Sequence, residues 1–143
     1  MTEKKNRGYT LVELMAVVAI MVILAAISAG VYRGYVEKAR EAEIYEKGHS
    51  IRQALSICEE EYGGSDGMPF SVFYSERFLA APNRPESALY PYVGADTEDC
   101  INYNVRAQIL PNGNYRISGF WYETEEYTLF WKDPSDITIT KKE

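Results

Sequence analysis

The hydrophobic pattern of the chain changes character three times. Nineteen uncharged, mostly apolar residues separate Glu13 from Arg33. A run of that length crosses a bilayer as one helix, which needs roughly 20 residues. From Arg33 the chain becomes mixed but keeps a helical period. Ile44, Gly48, Ile51, Leu55, Cys58 and Tyr62 recur at spacings of four and three, placing them on one stripe with Glu41, Lys47 and Arg52 on other faces. No proline occurs before Pro69, so one helix is expected from Tyr9 to about Tyr62, apolar all round at first and amphipathic afterwards. Such a helix is too long for a small globular core and suits a stalk with a head at one end.

Gly63-Gly64-Ser65-Asp66-Gly67 ends the helix. Residues 63–100 form a connecting region broken by Pro69, Pro82, Pro85 and Pro91, with a short helical turn over 75–79. Residues 101–143 read as an antiparallel β-meander of about four strands. Tyr103, Val105, Ala107 and Ile109 alternate with polar residues, and Asn112-Gly113 signals a two-residue hairpin. The chain returns over 115–123 with Ile117 and Trp121 expected on one face. Further strands follow at 127–132 and 137–140, separated by Asp133-Pro134-Ser135. The expected fold is α+β: a long N-terminal helix whose stripe from Ile44 to Tyr62 covers the sheet. The segments are 1–8, 9–32, 33–62 and a head of 63–143.

Charge and candidate chemistry narrow the function. The net charge is −6, and Lys4, Lys5 and Arg7 against Glu3 give the first eight residues +2, so the remainder carries about −8. An acidic chain argues against binding dominated by nucleic-acid phosphates, and no direct nucleic-acid partner is expected. With a single histidine, His49, and no nucleophile motif, no catalytic constellation emerges, so neither an enzyme nor a cofactor is expected. Asp96-Thr97-Glu98-Asp99 lacks the glycine turn and ligand periodicity of a calcium loop and reads as a solvated acidic loop. No zinc spacing is present, so no metal site is assigned. Cys58 and Cys100 either pair, closing a loop of about 43 residues with roughly 4 kcal/mol of stabilisation, or remain buried free thiols. Gly30 and Gly34 either loosen the helix or allow close helix packing. Glu13 either has a partner at membrane depth or complements the helix N-terminus and snorkels to the headgroups.

Lys4-Lys5-Asn6-Arg7-Gly8-Tyr9-Thr10-Leu11-Val12-Glu13-Leu14 resembles the prepilin signature of type IV pilins and pseudopilins. The resemblance covers about the first third of the chain. It implies that a prepilin peptidase cuts between Gly8 and Tyr9, that Tyr9 is then N-methylated, and that Glu13 meets the methylated amine of Tyr9 on an adjacent subunit. It also implies other pilin subunits as partners, a membrane-held precursor and a surface filament, with the head outside the cytoplasm. The charges flanking the span do not settle that orientation by themselves. The family usually has Phe where this chain has Tyr9, and often Pro where it has Gly30. Three rivals share parts of the pattern: a pseudopilin of a type II secretion or DNA-uptake machine, a membrane-tethered binding domain, and an ordinary signal peptide cleaved near Ser28.

Overall fold

In the computed structural model the described residues are 9–143; the leader, with the expected cleavage residue Gly8, lies outside them. Helix α1 spans Leu11–Tyr62. It is followed by three short helices, α2 (Phe70–Phe73), α3 (Glu76–Leu79) and α4 (Tyr90–Val93). Four strands come last: β1 (Asn102–Ile109), β2 (Tyr115–Glu123), β3 (Tyr127–Lys132) and β4 (Thr138–Lys141). They form one antiparallel sheet in the order β1-β2-β3-β4. The chain divides into two units, a first that ends at Arg40 and a second, Glu41–Glu143. Helix α1 contributes to both, and the second unit begins inside the amphipathic segment rather than at the helix end.

In the second unit the helix stripe covers one face of the sheet. Ile44, Gly48, Ile51, Leu55 and Cys58 are buried, as the four-three spacing predicts, and Ala54 joins them. Gly48 is where the helix approaches the sheet closely: a Cβ there would stand 2.8 Å from Leu129 Cδ2 and 3.0 Å from Ile137 Cδ1. The core continues through Met68, Phe78, Leu89, Phe120, Tyr122 and Leu129, all fully buried. Polar ties bind the same elements around the rim. Lys47 Nζ donates to both carboxylate oxygens of Asp99 at 2.8 Å, and Tyr122 Oη donates to Asp99 Oδ1 at 2.7 Å. The Arg52 guanidinium lies 4.7 Å from the centre of the Trp131 ring.

Two details of the sheet differ from expectation. The hairpin between β1 and β2 is not a two-residue turn. Such a turn needs positive φ at Asn112, and no residue other than glycine has it. Instead Gly113 N–H donates to Leu110 O, Leu110 N–H donates to Asn114 O, and Gly113 adopts φ +84°, a three-residue loop over Pro111, Asn112 and Gly113. The second difference is a bulge. Arg106 pairs with Gly119 but Ala107 pairs with Ile117, so Ser118 is an extra residue in β2. The bulge shifts the alternation by one. Ile117 faces the core as expected, but Phe120 and Tyr122 follow it inward, and Trp121 turns to the outer face at 40% exposure. Ile117 and Trp121 therefore do not share a face.

Candidate assembly segment and its N-terminal site

Among its described residues the first unit is a single helix. Thirteen aliphatic side chains between Leu11 and Val31 are all exposed. At about 1.5–3 kcal/mol per buried side chain, leaving them in water forfeits roughly 20–40 kcal/mol. That exceeds the about 5–15 kcal/mol by which a whole domain is stable, so this surface requires an apolar environment. An 18-residue window of α1 passes the length and composition test for a membrane span, and none of it is buried.

Glu13 sits in the first turn of that helix, where it closes a reciprocal cap with Thr10. The Thr10 backbone N–H and hydroxyl donate to Glu13 Oε2 at 2.9 and 3.0 Å, and the Glu13 N–H donates to Thr10 Oγ1 at 3.3 Å. This is the capping-box arrangement, and it satisfies helix donors that have no partner within the helix. The carboxylate is thereby folded back to within one residue of Tyr9. Thr10 was not singled out from the sequence, although Thr-x-x-Glu before an apolar run is a recognisable signal. Gly30 and Gly34 have nothing within 4 Å of where a Cβ would stand, so no packing among the described residues requires glycine at either position.

The remaining candidate residues lie in the second unit. Of the two states open for Cys58 and Cys100, the structure has the free thiols. Each is separately engaged: Cys58 Sγ donates to Ala88 O at 3.4 Å and Cys100 Sγ to Asn102 O at 3.6 Å. Burial pushes both thiols up to about 11, so they are protonated at neutral pH and lack the thiolate that starts disulfide exchange. Asp99, the last of the acidic run, is taken by Lys47 and Tyr122. Among the described residues no group of three or more His, Cys, Asp and Glu gathers where a metal ion would fit. His49 stacks edge-on against Tyr45 with ring centres 4.6 Å apart and lies 3.8 Å from Asp136.

Comparison with known proteins agrees with the helix. The family model described as the prokaryotic N-terminal methylation motif matches residues 4–29. The chain is 40% identical over 62 residues to prepilin peptidase-dependent protein D of Escherichia coli (strain K12), covering 43% of this chain and 42% of that protein. It is 38% identical over 83 residues to the type IV major fimbrial protein FimA of Dichelobacter nodosus, covering 58% and 51%. The chain is similar to type IV pilins and carries their N-terminal methylation motif.

A further pilin-family relative is the type IV pilus subunit protein TapA of Aeromonas hydrophila, 40% identical over 73 residues, covering 46% of this chain and 51% of that protein. The chain thus spans about half the length of the curated relatives it matches. No solved structure matches it. Type IV pilins are structural subunits and not enzymes. The long helix on a four-stranded antiparallel sheet is a pilin-like α+β fold.

Proposed function

We propose that this protein is a structural subunit of a type IV pilus-like filament, cut after Gly8 by a prepilin peptidase, N-methylated at Tyr9, and polymerised through residues 9–32. The observation that carries the reading is the exposed aliphatic helix bearing one carboxylate in its first turn, continuous with the helix that builds a folded head. The precursor is held as a single span in the cytoplasmic membrane, and the filament replaces lipid with the same helix from other subunits. Packing of that kind gains from close contact between helices, for which Gly30 and Gly34 leave room.

Glu13 has a part in both states. In the isolated chain its charge is held by the Thr10 cap, beside the amine that cleavage would create. In the filament it takes the methylated amine of Tyr9 on a neighbouring subunit. Two opposite charges removed from water together are tolerated, whereas either alone is not. Glu13→Val tests this directly. The head lies beyond the span, so the variant accumulates, loses its leader and keeps a folded head, while sheared filament yield collapses. Normal filaments from Glu13→Val as the sole pilin would show that the carboxylate is incidental. A second reading, a pseudopilin of a secretion or DNA-uptake machine, draws on the likeness to prepilin peptidase-dependent protein D; it shares cleavage and membrane storage but predicts no long sheared filaments.

A further inference from the structure

The outer face of the sheet, turned away from the helix, carries a cluster with no part in assembly by the N-terminal helix. Asn104, Trp121, Phe130 and Thr138 stand in one row across the four strands, because Asn104 pairs with Trp121, Trp121 with Phe130, and Phe130 with Thr138. The bulge at Ser118 puts Trp121 on this face. Arg106 and Lys132 flank Gly119 in the next row. Gly119 has no side chain to obstruct Arg106, whose guanidinium lies 5.3 Å from the centre of the Phe130 ring.

The cluster is held in place but not used up. Trp121 meets Phe130 edge-on, with ring centres 6.2 Å apart and 67° between planes. Glu123 is tied to Lys142 and Asn102. The heads of Arg106 and Lys132, by contrast, have no hydrogen-bond or ion-pair partner among the described residues. Two unpaired cations beside an exposed indole are unusual on a chain of net charge −6, where carboxylates are plentiful. They mark a place complementary to an external anion that also presents an apolar face.

We propose that this face binds a carboxylated sugar chain, with Trp121 stacked on the C–H face of a uronate ring, Arg106 and Lys132 on its carboxylate, and Asn104 on its hydroxyls. The negative face of the indole ring attracts polarised C–H groups. Arg106 offers a planar fork of donors matched to a carboxylate, and its stack on Phe130 pre-orients it. A single-stranded nucleic acid is disfavoured. Successive bases need several free rings, whereas Arg106 lies over one face of Phe130.

The test uses the full chain in detergent micelles with tetragalacturonate as probe, its fully methyl-esterified form as the uncharged counterpart, and oligodeoxythymidylate as the anionic comparator. Trp131 is buried, so Trp121 dominates the change in tryptophan fluorescence on binding. Tetragalacturonate is expected to bind and to shift the emission. Trp121→Ala should weaken binding by about two- to tenfold, the size of one stacking contact. Arg106→Gln should weaken the charged probe and leave the ester unaffected, while Trp121→Tyr retains binding. Unchanged thermal melting of the variants shows that the head is intact. Absence of tetragalacturonate binding, binding indifferent to Trp121→Ala, or oligodeoxythymidylate binding more tightly with steep salt dependence would each overturn the proposal.

Discussion

Asp99→Ala removes the acceptor at the centre of the tie between helix and sheet. Asp99 receives two hydrogen bonds from Lys47 and one from Tyr122, all between 2.7 and 2.8 Å. The Lys47 side chain is only 12% exposed, so it loses its partner where water reaches it poorly. Tyr122 is fully buried apart from this contact, and its hydroxyl loses its acceptor. Breaking a buried ion pair costs about 3–5 kcal/mol, and an orphaned buried hydroxyl about 1–3 kcal/mol. The Asp99 side chain is 45% exposed, so water replaces part of both. The expected loss is about 3 kcal/mol, which for a domain of this size lowers the melting temperature by roughly 10–20 °C. The assay is thermal unfolding of the head followed by near-ultraviolet circular dichroism. Lys47→Met combined with Asp99→Ala should cost less than Asp99→Ala alone, because no charge is then stranded. A loss below about 0.5 kcal/mol for Asp99→Ala, the range of an ordinary surface change, would refute the reasoning.

The same carboxyl sets an acid limit. Burial alone would raise it, but the hydrogen bonds from Lys47 and Tyr122 and the Lys47 charge outweigh burial and hold it below the usual range. Its contribution is therefore complete above pH about 4 and is lost as pH falls through the depressed value. Asp99→Asn should flatten the stability profile below pH 4. Gly48→Ala should lower the melting temperature of the head, because crowding of Leu129 and Ile137 outweighs the about 1 kcal/mol of helix propensity gained; a higher melting temperature would show that the core yields. Thiol labelling of the folded head should recover Cys58 and Cys100 unlinked, with the rate at the more accessible Cys100 rising as pH climbs towards 11; a linked peptide in non-reducing mapping would contradict this.

Much of the fold was legible because separate local signals agreed. Strands β2 and β3 begin and end where turn residues interrupt alternation, and the helix stripe was readable from Ile44 to Cys58. What escaped depended on contacts distant in sequence. The bulge at Ser118 is a pairing event between strands, and without it Trp121 reads as a core residue. The two-residue hairpin fails because Pro111 belongs to the loop, which Asn112-Gly113 alone does not reveal. The expected turn over 75–79 is α3, but the short helices α2 and α4 owe their places to Phe73 and Val93, which enter a common core that no local period announces. In residues 9–32 the apolar run and Glu13 are both legible, and the Thr10 cap carries an equally local signal in Thr-x-x-Glu.

The account rests on residues 9–32 being a mature N-terminal helix that builds a polymer. The most direct measurement is intact-mass spectrometry of the subunit recovered from the sheared surface fraction of cells expressing this chain with a prepilin peptidase. The account predicts filaments composed of a chain that lacks residues 1–8 and carries one added methyl group at Tyr9. A folded, membrane-held chain that never enters a sheared fraction, or a subunit cut near Ser28 and lacking the apolar helix, would contradict it.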